Sequence, residues 1–278
     1  MRMLTLSNSV SMPCLGFGTY KSRNGEEATT AVFNALCCGY RMIDTASFYE
    51  NEESVGEAFR ASCLKRGDVF ITSKLWNTDR GYDNAMRAFE KSLKELRMDY
   101  LDLYLIHWPA NALQYEEPHK VNLDTYKALI SLYEQGVVKS IGVSNFKAHH
   151  LEPLMYTNVK PQVDQIEFHP GFMQIETRDY CKKNDIVVQA WSPMGRAEVF
   201  SHETIKALSE KYNCTPAQLC IRWCMQHSTV PLPKSVTKER IVSNLDVFSF
   251  KISEEDMRLI DMMPFCGGSG HDSDKVEF

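Results

Sequence analysis

From Leu15 onward, short apolar runs alternate with stretches in which apolar residues recur every three or four positions. The runs Leu15–Phe17, Met42–Asp44, Val69–Lys74, Leu101–His107, Val138–Val143, Gln162–Glu167, Val187–Trp191 and Val230–Leu232 have strand length and few polar interruptions, as strands buried on both faces require. Between them, Glu26–Cys38 gathers Ala28, Ala31, Val32, Ala35 and Leu36 on one helical face, and Asp83–Leu96 does the same with Met86, Phe89, Leu93 and Leu96. Eight such units with one-sided helices fit a sheet closed on itself better than an open doubly wound sheet. The pattern therefore predicts an α/β fold, a (β/α)8 TIM barrel in one domain over residues 1–278. Leu4–Met12 reads as an added hairpin around Ser7-Asn8-Ser9 that could cover the amino-terminal end of the barrel. Glu203–Tyr212 and Glu254–Met262 read as two extra helices, and Thr215 is the expected N-cap of Pro216–His227.

Composition narrows the classes of function. The formal net charge of -5 and pI near 5.9 argue against nucleic acid or an anionic membrane as partner, so an anionic ligand would need a local cationic pocket. Nine cysteines, an odd number with no C-x-x-C, suggest a reducing, cytoplasmic setting. Cys220 and Cys224 lie one helical turn apart, a spacing open to two zinc ligands, but nothing at ligand spacing completes a site; we read them as buried small hydrophobes and expect no metal. Residues 1–8 lack a long apolar core, so neither a secretory signal nor a membrane span is expected. Gly16-Phe17-Gly18 is followed by Lys21 where a third glycine would complete the Rossmann fingerprint, and there is no P-loop, G-x-S-x-G or H-E-x-x-H.

The chemistry lies at the strand ends. Asp44, Lys74 and His107 close three successive strand runs, and Tyr49 follows the first by five residues. In a parallel barrel those ends share one rim. A phenol is a poor acid at neutral pH, with a reference pKa of about 10, but an adjacent ammonium stabilises the phenolate, so Lys74 is expected to lower the pKa of Tyr49. Asp44 would keep Lys74 charged and oriented, and a neutral His107 would polarise a substrate oxygen.

An ordered set of motifs over nearly the whole chain resembles the aldo-keto reductase family. It comprises Gly18-Thr19-Tyr20, Gly39–Ala46 continuing to Tyr49 and Asn51-Glu52, Lys74-Leu75-Trp76, Leu103–Pro109, Gly142–Phe146, Gln165-Ile166-Glu167 with His169-Pro170, and Pro233-Lys234-Ser235 with Arg240 and Asn244. The resemblance implies reduction of an aldehyde or ketone by hydride from NADPH, with Tyr49 as general acid, Lys74 and Asp44 tuning it, and His107 orienting the carbonyl. It further implies that the nicotinamide stacks on Trp191 with its carboxamide held by Ser144, Asn145 and Gln165. Gly18, Thr19, Tyr20, Asp44, Ser192, Pro193 and Met194 would line the cofactor path. Lys234, Ser235, Val236, Thr237 and Arg240 would hold the phosphate end, which favours NADPH over NADH, with Asn244 near the adenine. Trp191 stands where tyrosine is more usual, Met194 replaces a common leucine, Ser243 stands where an acid often contacts the adenosine, and Arg196 is expected to approach the pyrophosphate.

Tyr20, Phe48, Trp76 and Trp108 would give the substrate pocket aromatic walls around His107, suiting an apolar carbonyl compound. The pocket would be shaped by short loops at Ala110–Val121 and Gly195–His202. We expect a monomer acting on a small molecule. An NADPH-sensing scaffold is the alternative, disfavoured by the intact set of four polar residues.

Overall fold

The computed structural model describes residues 2–278. A hairpin of β1 (Met3–Thr5) and β2 (Ser11–Pro13) precedes eight strands: β3 (Phe17–Gly18), β4 (Met42–Asp44), β5 (Phe70–Leu75), β6 (Leu103–Ile106), β7 (Ile141–Ser144), β8 (Val163–Glu167), β9 (Val187–Trp191) and β10 (Val230–Pro231). Helices α1 (Glu26–Cys38), α2 (Glu52–Ala61), α3 (Tyr82–Leu96), α4 (Pro118–Glu134), α5 (Ala148–Leu151) and α6 (Ile175–Lys183) follow β3 to β8 in turn. After β9 come α7 (Glu203–Lys211) and α8 (Pro216–Gln226), and after β10 come α9 (Lys238–Leu245) and α10 (Glu254–Asp261).

Neighbouring strands pair in parallel and in chain order from β3 to β10. Main-chain bonds from Gly16 N to the Pro231 carbonyl (3.1 Å) and from Gly18 N to that of Pro233 (3.0 Å) join the two edges and close the barrel. Pro231 and Pro233 accept but cannot donate, which keeps β10 short. The barrel interior at its amino-terminal end is filled by Met42, Phe70, Leu103, Leu105, Val163, Val230 and Leu232, with Leu6 and Met12 of the hairpin packed among them. The hairpin is thus the stopper the sequence suggested.

Local chemistry explains the helix limits. Gly39, at φ 112°, ends α1 in the left-handed region. Thr215 and Gln218 form a reciprocal capping box at α8, with Pro216 in the first turn, and both extra helices form where expected. Most boundaries shift by a residue or two, β6 being Leu103–Ile106 where Leu101–His107 was expected, and three of the differences have a physical reason. The first barrel strand is Phe17–Gly18 rather than Leu15–Phe17, because the Gly16 and Gly18 amides close the barrel. The fifth begins at Ile141, with only Leu101 and Val138 bridged before it. The loop expected over Ala110–Val121 is shorter, because Pro118 opens α4. Among the described residues no helix is long and apolar enough to cross a membrane.

Candidate active site

At the carboxyl rim of the barrel, Lys74 on β5 is completely buried and donates to Asp44 Oδ1 on β4 at 2.6 Å, to the Thr45 carbonyl at 2.9 Å and to Tyr49 Oη at 3.3 Å. A short turn over Ser47–Tyr49, tied by Ser47 Oγ to the Lys74 carbonyl, brings the phenol back over the rim. Asn51 fixes that segment: it accepts from Thr45 Oγ1 (2.8 Å) and donates to the carbonyls of Thr19 and Ser22 (3.0 Å each). The His107 ring sits 5.5 Å from the Tyr49 ring, edge to face. The four polar residues read at or just past the strand ends therefore form one cluster at the rim.

Their acidities depart from expectation in one respect. Burial, aided by the negative charge of Asp44 and by Tyr20, pushes the Tyr49 phenol well above its ordinary value rather than below it. Lys74 cannot reverse this, because its charge is largely spent on Asp44 and burial lowers its own pKa. The phenol is consequently held as O–H, the form a proton donor needs. Burial and the Lys74 charge push His107 well below the usual imidazole value, so its ring is neutral, as expected. His107 Nδ1 is sealed without a partner among the described residues.

Aromatic groups line the mouth. Phe48 stacks on Trp76 at 3.8 Å, while Tyr20 lies 5.0 Å from the Tyr49 ring and is 45% exposed. Trp108 is buried, and its edge meets Phe278 at 5.3 Å. Phe278 also stacks on Trp76 at 5.9 Å, and its main-chain oxygen accepts from Asn77 (2.9 Å) and Gln114 (3.0 Å). This wall has no counterpart among the aromatic residues expected from the sequence. Residues 267–278 carry no periodic pattern that would have revealed it.

The neighbouring strand ends carry the residues expected to face a cofactor. Gln165 Nε2 donates to Asp44 Oδ2 and to Gln189 Oε1, both at 2.8 Å, and no donor among the described residues reaches Gln165 Oε1. That oxygen is free for an amide N–H. Ser144 Oγ donates to the Gln165 carbonyl at 2.7 Å, and the Trp191 indole N–H donates to Asn145 Oδ1 at 2.8 Å. The expected pair Ser144 and Asn145 is therefore engaged with neighbours as well as facing the rim. Thr19 Oγ1 holds the Asp44 carbonyl at 3.0 Å, and a Cβ on Gly18 would stand 3.1 Å from the Leu232 carbonyl.

Beyond β9, Ser192 and Arg196 adopt positive φ, and Arg196 is exposed in a kinked turn over Gly195–Ser201 that also contains Ala197 at positive φ. Pro193 is buried and Met194 half-buried beside it. At the other side, Lys234 is half-buried, and desolvation lowers its pKa against the pull of Glu27, with Lys21 lowering it further. Arg240 on α9 is exposed and forms no ion pair among the described residues. Ser235 is buried, its hydroxyl accepting the Thr237 N–H, while Val236 is exposed and Asn244 buried. Unmatched cations beside the first turn of a helix suit an anion.

A family model for the aldo/keto reductase family matches residues 14–201 and 196–263. The chain belongs to the aldo/keto reductase family. It is 46% identical over 274 residues to a glyoxal reductase of Bacillus subtilis (strain 168), covering 98% of this chain and 96% of that protein. It is 45% identical over 262 residues to a 9,11-endoperoxide prostaglandin H2 reductase of Trypanosoma cruzi, covering 93% and 90%. Among solved structures, an aldo-keto reductase from a Medee basin deep-sea metagenome superposes with a TM-score of 0.93 at 42% identity, each chain covered completely. An aldo-keto reductase of Bombyx mori in complex with NADP does so at 0.86 and 31%, covering 94% of this chain and 92% of that one. The reductase is an oxidoreductase of carbonyl compounds with a barrel of this family.

One cluster outside the pocket has the composition of a metal site: His149, His150 and Asp274. In the reductase His150 Nδ1 accepts the Lys147 N–H at 3.1 Å, so the ring proton lies on Nε2, 3.1 Å from Asp274 Oδ1. Lys147 Nζ also reaches Asp274 at 2.7 Å. These groups satisfy one another and tie the carboxyl-terminal segment to the barrel. Cys220 and Cys224 are buried on α8, as expected.

Proposed function

We propose that the reductase transfers hydride from NADPH to small, neutral aldehydes and α-dicarbonyls, with Tyr49 donating the proton. The chain Asp44–Lys74–Tyr49, with neutral His107 beside it, carries this reading. NADPH, when bound, supplies the hydride; the open Gln165 Oε1 suits its carboxamide, Trp191 its ring, and Lys234 and Arg240 its phosphate end. The rest is done by the chain. Tyr49 Oη and the His107 ring would hold the carbonyl oxygen. As that oxygen gains charge it takes the phenolic proton, giving the alcohol, and Lys74 at 3.3 Å stabilises the phenolate left behind.

The pocket walls are aromatic, and the nearby Arg80 is consumed by the Trp108 and Pro109 carbonyls and by Gln114. A neutral substrate therefore fits better than a carboxylated one. The glyoxal reductase relative, and a putative methylglyoxal reductase of Salmonella typhi that is 42% identical over 258 residues, support small dicarbonyls. All nine cysteines are free, which suits the reducing cytoplasm. NADPH oxidation followed at its absorbance band with methylglyoxal tests the proposal. Tyr49→Phe should lower kcat by about 10²–10⁴-fold and leave NADPH affinity in place; an equally fast variant would exclude Tyr49 as donor.

A further inference from the structure

Asn145 occupies the junction of four strand ends. Its backbone is left-handed, at φ 63°, which turns the side chain across the rim instead of along β7. Its N–H donates to the Gln165 carbonyl at 2.9 Å, and its carbonyl accepts from Ser273 Oγ in the carboxyl-terminal segment at 2.5 Å. Its side-chain amide spans the remaining gap. Nδ2 donates to the His107 carbonyl at 2.9 Å and to Ser144 Oγ at 3.1 Å, while Oδ1 accepts the Trp191 indole N–H at 2.8 Å. An indole N–H can only donate and a main-chain carbonyl can only accept, so the orientation of this amide is unambiguous. Flipping it would set two donors against each other at Trp191 and two acceptors against each other at His107.

We propose that Trp191 is a positioning residue for His107, acting through Asn145. The indole N–H holds Asn145 Oδ1, the same amide holds the His107 carbonyl, and the imidazole is thereby fixed over Tyr49. His107 needs this tie. Its Nδ1 has no hydrogen-bond partner among the described residues, so the ring lacks the second bond that orients most functional histidines, and its aromatic neighbours Phe48, Tyr49 and Trp76 meet it only by their packing. A phenol or phenyl ring at position 191 would retain an aromatic face but has no N–H at this point of its edge. The inference rests on the proposed reaction and adds to it a role for Trp191 separate from stacking a cofactor ring.

The test separates these roles. Trp191→Phe keeps an aromatic face and removes the donor; kcat for methylglyoxal should fall about 5- to 10-fold, the worth of one part-buried neutral hydrogen bond, while directly titrated NADPH affinity changes less than about threefold. In an Asn145→Ala background the same replacement should change kcat by less than about twofold, because the link is already cut. An undiminished loss in that background, or a loss confined to NADPH affinity, would overturn the proposal. A cofactor-free readout keeps it distinct from the reaction itself: the Trp191 indole proton should be protected from exchange in the unliganded protein and lose that protection in Asn145→Ala. An unprotected indole proton would refute the link even if turnover is as proposed. A protected one in a protein that never oxidises NADPH would sink the reaction and leave the link standing.

Discussion

Asp164 is the residue most at odds with its surroundings. It lies on β8, fully buried, with Oδ1 unpartnered among the described residues and the weak thiol of Cys181 3.9 Å from Oδ2. Burial raises its pKa well above the ordinary value, and the Phe146 N–H and the Cys181 thiol offset this only in part. The folded chain therefore binds this proton more tightly than the unfolded chain, whose value is about 3.9. Its contribution to stability is complete below that value and lost as pH rises through the folded-state pKa. Asp164→Asn, which cannot ionise, should accordingly raise the midpoint of thermal unfolding at pH 8, by about 2–4 °C for each kcal/mol recovered, and change it little at pH 4. An equal gain at both values would show that charge is not the cause. The same reasoning explains Tyr49. A neighbouring ammonium alone would acidify the phenol, but enclosure costs the phenolate its hydration and Asp44 takes most of the lysine's charge.

At the scale of elements, the carboxyl-terminal segment behaves as a strap across the barrel mouth, though residues 267–278 form no helix or strand and their sequence has no period to read. Ser269 Oγ donates to the buried Glu167 carboxylate at 2.6 Å, and Lys147 binds both Asp272 and Asp274. Those ion pairs are more than one-third exposed on at least one side and contribute little once screened. The buried anchors are Ser273 Oγ, bonded to the Asn145 carbonyl, and Asn111, whose Nδ2 makes two bonds by donating to the carbonyls of Ser273 (3.1 Å) and Val276 (2.7 Å). Replacing Asn111 by alanine should lower the local opening free energy by about 2 kcal/mol, two hydrogen bonds' worth, and so raise amide exchange over residues 273–278 by roughly 30-fold. Helices α1 to α3 should keep their protection. Because Phe278 leans on Trp76 and Trp108, KM for a small aldehyde should rise with kcat little changed; unaltered exchange in the segment would mean that Asn111 is not one of its anchors.

Across the whole molecule, the barrel was legible because strands covered on both faces must be apolar nearly throughout, and because polar groups at their carboxyl ends stand out against that background. Asp44, Lys74 and His107 were readable for this reason, and Tyr49 by its place just beyond one of them. Gln189 was not: a single amide in a strand looks like an interruption, yet it lies fully buried in the barrel, accepting from Gln165 and facing the Met12 sulfur at 3.3 Å. Met12 belongs to the hairpin stopper, so an unbroken line of contacts runs from the closed end of the barrel through Gln189 and Gln165 to Asp44. Its two ends should nevertheless respond differently to damage. Met12→Ala removes a large side chain from a packed interior and should cost about 2–5 kcal/mol, seen as a lower denaturant midpoint. Thioether contacts to an amide are weak, and Asp44 remains held by Lys74 at 2.6 Å and by Gln165 at 2.8 Å. We therefore expect kcat at 25 °C to stay within about twofold of the parent, a bond that weak being worth less than the neutral hydrogen-bond range. A fall in kcat that tracks the loss of stability would mean instead that the stopper sets the geometry of the proton-donating group through the barrel interior.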